Sequence, residues 1–171
     1  MQNKTDDAAF LIESLRLQAH PEGGWFREIY RSDENVAQAA LPPRYSGDRS
    51  FGTSIYYLLK GNDISAFHRL HSDEIWHFYA GSAVMLWLLT EDGTLTKRIL
   101  GNNFRAGEEL QVIMPRNTWF AAEVIDKASF ALTGCSVYPG FSFSDFIIAK
   151  KAALLAKYPA CRDVIERLAR D

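Results

Sequence analysis

The sequence predicts an all-β fold, an antiparallel barrel or sandwich with a helix at each end of the chain. Three observations carry this reading. Between Trp25 and Tyr138 the apolar residues recur with period two in about nine short runs, with turn signals about every 8–12 residues. A parallel sheet would need a crossover helix between successive strands, and these gaps cannot hold one. Aromatic side chains make up 13% of the 171 residues, which suits pleated strands better than a helical bundle.

The first element is a helix over about residues 5–17. Thr5 or Asp6 caps it, Asp6 and Asp7 complement its positive end, and Phe10, Leu11 and Leu15 form its apolar face. His20-Pro21-Glu22-Gly23-Gly24 ends it and turns the chain. Strands are expected at Trp25–Ser32, Thr53–Leu59, Ala66–Leu70, Glu74–Ala80 and Val84–Thr90. Four more follow at Thr94–Leu100, Leu110–Met114, Thr118–Val124 and Phe130–Tyr138. Gly61-Asn62-Asp63, Asp92-Gly93 and Gly101-Asn102-Asn103 are among the turns between them. Ser144 or Asp145 opens a C-terminal helix that Pro159 interrupts, and Cys161–Arg170 forms another. The chain reads as one domain, 1–171, with a barrel core of about 24–140 and helices over about 5–17 and 144–170 packed outside it.

Composition excludes several function classes. With 47% apolar residues the chain is a folded protein, and 19 basic against 21 acidic residues leave no basic footprint for nucleic acid. Cys135 and Cys161 make no disulfide framework and read as reduced thiols. The N-terminal segment lacks an apolar signal core, and the longest apolar run, Ala83–Leu89, is too short to span a bilayer. The expectation is a soluble cytoplasmic protein without a membrane partner.

The chemistry concentrates between Ser65 and His77, which holds three of the four histidines. On regular strands Glu74, Trp76 and Phe78 share one face, Ile75, His77 and Tyr79 the other, and His68 shares a face with Leu70. The turn His71-Ser72-Asp73 brings His68 and Glu74 together if both point inward. A histidine beside a carboxylate in an apolar pocket is either a general base or half of a metal site; otherwise the two simply satisfy each other.

The segment Gly61–His68–Glu74–Gly81 resembles the first motif of the cupin family. Stretches spread over nearly the whole chain from residue 20 are similar to a narrower branch, the fifth cupin family, a domain of unknown function. They are HPEGGWFREIYRS (20–32), TSIYYLL (53–59), FHRLHSDEIWHFYAGS (67–82), VIMPRNTWFAAEV (112–124) and GCSVYPGFSFSDF (134–146). The resemblance implies a double-stranded β-helix, a jelly-roll barrel, that forms homodimers, with Trp25–Ser32 reaching toward the partner. It also exposes departures. Leu70 stands where metal-binding cupins carry their second histidine and Phe120 where they carry a third, so no metal cofactor is expected. If a divalent metal is present, His68 and Glu74 hold it, with His71 or His77 rearranged to help. More distantly the chain is similar to metal-free sugar-nucleotide epimerase cupins, in which a histidine is the base and a tyrosine the acid. That likeness implies His68 as base, with Tyr30, Tyr57 or Tyr138 opposite it.

Other residues complete the expected site. Arg27 or Arg31 on the first strand would suit an anionic ligand, against a plain solvated face or a dimer salt bridge. Ser65 lies in the same polar cluster, and Trp76 and Trp119 either stack on a planar ligand or fill the barrel. Arg69, His77 and His20 are expected to have no chemical role. Three functions are consistent with these residues: a metal-independent isomerase or epimerase of a small polar, sugar- or nucleotide-like or anionic compound, with His68, Glu74 and Tyr30 catalytic and Arg27, Tyr57, Ser65, Trp76, Trp119 and Tyr138 binding it; a non-catalytic metabolite-binding protein; and a metal-dependent oxygenase or hydrolase.

Overall fold

The computed structural model describes residues 4–171. Helix α1 (Lys4–Ser14) stops earlier than expected, because Arg16 takes a left-handed φ of 53° and directs the chain into β1 (Gln18–Ala19). Then come β2 (Trp25–Arg31), β3 (Asn35–Val36), β4 (Arg49–Ser50), β5 (Thr53–Lys60), β6 (Ile64–Arg69) and β7 (Asp73–Gly81). The series ends with β8 (Val84–Leu89), β9 (Leu95–Leu100), β10 (Gln111–Met114), β11 (Trp119–Val124), β12 (Phe130–Tyr138) and β13 (Ile147–Ile148). The nine long strands fall where period two places them; β1, β3, β4 and β13 have two residues each, too few to show a period.

One sheet runs β1-β2-β5-β12-β7-β10 and the other β13-β6-β11-β8-β9, while β3 and β4 pair alone. Their inner faces share one core that includes Leu59, Trp76, Leu86, Phe120 and Val124. The second sheet is apolar on both faces, which explains the unbroken VMLWLL run of β8. Val84, Leu86 and Leu88 point into the barrel, whereas Trp87 and Leu89 point out. Helices α2 (Lys151–Lys157) and α3 (Arg162–Leu168) cover that outer face through Leu154, Ile165 and Leu168. Full burial of Ile165 and Leu168 contributes on the order of 1.5–3 kcal/mol each. Helix α1 does the same for the first sheet, with Ala8 packed among Leu17, Leu58 and Phe130.

The C-terminal segment corrects the expected helix over 144–170. Phe143–Asp145 is a single 3-10 turn, and Ile147 and Ile148 pair with Arg69 and His68 as β13. These β-branched residues complete the otherwise open edge of β6, and Ala149 donates its N–H to the Phe67 carbonyl at 2.8 Å. Helix α2 begins only after that edge is satisfied.

Three bulges decide which side chains enter the barrel. On β2, Glu28 pairs with Ile55 but Tyr30 with Ser54, leaving Ile29 as an extra residue. On β6, Ser65 pairs with Ala122 and His68 with Phe120, so three steps on β6 match two on β11. On β7, Phe78 and Ala80 pair with the adjacent Thr133 and Leu132, leaving Tyr79 extra. Each extra residue reverses the in-and-out alternation beyond it.

Candidate functional site

Hydrocarbon fills one end of the barrel. The other end holds a cavity of about 460 Å³, walled by β2, β5, β6, the start of β7, the end of β12 and the loop after Tyr138. Its size is that of a small-molecule site.

The deep end is built on His68. Its Nδ1 lies 2.8 Å from the Ala66 carbonyl, which can only accept, so Nδ1 carries a proton and Nε2 is the nitrogen that takes up or releases one. Nε2 sits 3.2 Å from Glu22 Oε2. The other oxygen, Oε1, accepts from Ser65 Oγ at 2.8 Å. Ser65 and His68 are three residues apart and would point to opposite faces of a regular strand; the β6 bulge lets both reach Glu22.

Glu22 was not among the expected site residues. It lies in the turn after Ala19, which reads in sequence only as a helix terminator. That turn enters the barrel because Gly23 and Gly24 adopt φ of 118° and 67°, and because it is pinned from three sides. Ala66 N–H donates to the Glu22 carbonyl at 2.9 Å, Tyr57 Oη to the Gly23 carbonyl at 2.8 Å, and Arg170 to the Pro21 carbonyl at 2.8 Å. The available signal was two titratable residues, His20 and Glu22, packed into one glycine-rich turn.

His20, for which no chemical role was expected, likewise lines the cavity. Its Nδ1 accepts from the Glu22 N–H at 3.3 Å, and its ring meets Phe26 edge-on at 4.6 Å. Burial lowers its pKa, with nearby His68 acting the same way against the pull of Glu22, so it stays neutral.

Glu74 faces the same cavity, only 7% exposed. Burial, with Glu22 adding repulsion, raises its pKa to about 8, although the Trp76 indole and the Cys135 thiol pull it back down. At neutral pH it is therefore a carboxylic acid, and its buried Oε2 has no hydrogen-bond partner. Burial, with Glu74 next in effect, likewise pushes the Cys135 thiol up, so the sulfur beside it is no nucleophile.

The remaining expected residues divide. Tyr57 lines the cavity, but its proton is given to Gly23, and burial and Glu22 raise its pKa well above the usual phenol range. It props the turn. Ser65 serves Glu22 rather than forming a wall, and Trp76 is buried in the core, its ring 5.3 Å from Tyr57. Regular alternation removes Arg27 and the β2 bulge removes Tyr30. Phe26, Glu28 and then Arg31 face inward, so Tyr30, 55% exposed, lies outside and Arg27 stands over the Tyr56 ring on the outer face. Tyr138, 54% exposed, packs against Gly52 outside the cavity. Trp119 sits with the C-terminal helices under Arg69, whose guanidinium lies 4.5 Å from the ring. His77, on the outer face of β7, reaches Ser136 Oγ at 3.2 Å, and His71 lies 3.4 Å from Asp145 Oδ1.

Residues 9–149 match the family described as Cupin superfamily (DUF985). The chain belongs to this family. It is 39% identical to protein SO0799 from Shewanella oneidensis, whose crystal structure superposes with a TM-score of 0.85 over 99% of both chains. A hypothetical protein from Leishmania major is 31% identical, with a TM-score of 0.85 over 96% of this chain and 99% of that one. The uncharacterized protein YML079W of Saccharomyces cerevisiae is 29% identical over 149 residues, 82% of this chain and 74% of the yeast protein. Oxalate decarboxylase from Bacillus subtilis, 16% identical, aligns with a TM-score of 0.53 over 88% of this chain and 36% of that one, a likeness of fold alone.

The metal sites known in other cupins do not fit this cupin's donor set. Leu70 and Phe120 occupy two ligand positions, and the Phe120 ring lies 4.1 Å from the His68 ring, where a third ligand would approach. Among the described residues no three His, Cys, Asp or Glu side chains are arranged to hold a metal ion. Both cysteines are free and buried, and no helix among the described residues is long and apolar enough to cross a membrane.

Proposed function

We propose that this cupin is a metal-independent isomerase or epimerase that moves a proton next to a carbonyl group in a small compound. The observation that carries the reading is a buried Glu74 carboxyl, its Oε2 without a hydrogen-bond partner, facing the same cavity as the His68–Glu22 pair. A protonated acid and an imidazole whose basic Nε2 lies beside a carboxylate that stabilises its charged form are the arrangement such chemistry requires.

In the forward step His68 Nε2, with Glu22 ionised to stabilise the resulting imidazolium, accepts the proton of the carbon next to the carbonyl. The C–H electron pair becomes the C=C bond of an enol as Glu74 Oε2 delivers its proton to the carbonyl oxygen. Reversal with the proton returned to the other face gives the epimer; in a hydroxy-carbonyl compound, return at the former carbonyl carbon, as the neighbouring hydroxyl gives its proton to the Glu74 carboxylate, gives the isomer. Glu74, and not a tyrosine, is the acid, since Tyr30 and Tyr138 are outside and Tyr57 is committed to Gly23.

The test is proton exchange followed by NMR in deuterated water with a panel of small aldoses, hydroxyketones and cyclic ketones. One or more compounds should exchange the hydrogen next to the carbonyl. His68→Gln and Glu22→Gln should slow that by about 10²–10⁴-fold. The wild-type rate should fall as pH rises through about 8, where Glu74 loses its proton. Equal rates in wild type and His68→Gln would refute the proposal, and compounds that bind without exchange would favour a binding protein.

A further inference from the structure

We infer that the cavity admits an uncharged, ring-bearing compound, polar end first, and turns away the anionic congeners of that compound. The inference names the substrate class for the acid–base reading above and rests on it for which end enters first.

The charge argument is a matter of counting free cations. Four carboxyl side chains, Glu22, Glu28, Asp48 and Glu74, line the cavity against two guanidinium groups, Arg31 and Arg49, and no lysine is among the described lining residues. Both arginines are already ion-paired. Arg49 gives all five of its N–H groups away: to both oxygens of Asp145, to the carbonyls of Gly47 and Asp48, and to Ser144 Oγ. Arg31 donates twice to Glu28 and once each to Phe141 O and Ser50 Oγ. A carboxylate or phosphate carried to the deep end would lose its water, meet Glu22 and find no free cation. A carbonyl oxygen suits that end, because the protonated Glu74 supplies the missing donor.

The shape argument comes from the walls. Phe143 at the mouth, Phe141 and Phe146 form an aromatic cluster packed edge to face, with centroids 5.0–6.1 Å apart. It runs inward until Phe146 lies 5.3 Å from the His68 ring. Ile55, Leu70 and Val137 also line the cavity. An apolar ring adds one more aromatic contact to such a cluster, and its polar end then reaches His68 and Glu74.

Benzamide and benzoate form a matched probe pair, alike in shape and different in charge. Titrated at pH 7 into ¹⁵N-labelled protein, benzamide should shift the amide signals of His68, Glu74 and Phe146 and bind at least about tenfold more tightly than benzoate, whose carboxylate finds no unpaired cation. Glu22→Gln should narrow that ratio by admitting benzoate. Benzoate binding as tightly as benzamide would overturn the inference, and so would neither probe shifting these signals. The readout is binding alone, so charge selectivity stands or falls separately from proton exchange: loss of exchange with selectivity retained would refute only the reaction.

Discussion

Glu74→Gln should make the protein markedly more stable at alkaline pH than the wild type. The folded state holds the Glu74 proton up to about pH 8, whereas the unfolded chain releases it near 4.5. The sign follows from linkage. A carboxyl whose pKa rises on folding adds nothing unfavourable below 4.5, and its penalty grows with every pH unit up to about 8 before levelling off. At about 1.4 kcal/mol for each unit, the ionised form costs the fold on the order of 5 kcal/mol above that range. The glutamine amide has nearly the same shape as the carboxyl it replaces and no proton to lose. Urea midpoints measured from pH 5 to 9 should fall steeply for the wild type and stay nearly level for the variant. Parallel curves for the two proteins would mean that Glu74 is solvated and ionised in the fold.

The second large effect concerns the latch that closes the cavity. Arg49 and Asp145, each about one-twentieth exposed, form a bidentate pair at 2.5 and 2.6 Å that ties the segment before β5 to the phenylalanine-bearing loop after β12. Hydrogen bonding and the charge of Asp145 raise the Arg49 pKa further, so the guanidinium cannot escape by losing its proton. Asp145→Ala leaves a buried cation unpaired and should cost about 3–5 kcal/mol. Its urea midpoint should drop with an unchanged slope. Replacing both partners, as in Arg49→Met with Asp145→Leu, should recover most of that loss, since the penalty arises from the orphaned charge and not from the missing bridge. A cost below about 1 kcal/mol for Asp145→Ala would place the pair in water.

The fold was legible because most strands announce themselves by period two, and β8, buried on both faces, by a short unbroken apolar run between turns. The site was legible only where strands are regular. His68 and Glu74 read correctly as inward-facing, but His68 meets Glu22, which period analysis cannot reach because it sits in a turn. Tyr30 and Arg27 were misassigned for different reasons: Arg27 alternates with the inward-facing Phe26 and Glu28, whereas a single extra residue, Ile29, turns Tyr30 outward, and no local propensity marks it. The same device on β6 goes the other way, bringing Ser65 and His68 to one carboxylate. The C-terminal isoleucines show a third limit. FIIAKKAALLAKY is consistent with a helix by composition, and only the open edge of β6 turns its first residues into a strand.

The claim that acid and base share one water-poor cavity is tested most directly by ¹³C NMR of the glutamate side-chain carboxyls, titrated from pH 4 to 10, with Glu74→Gln used to assign the signal. The Glu74 carboxyl should titrate near pH 8. A Glu74 carboxyl that titrates below pH 5 would contradict the account, for the cavity would then hold an ordinary carboxylate and no acid.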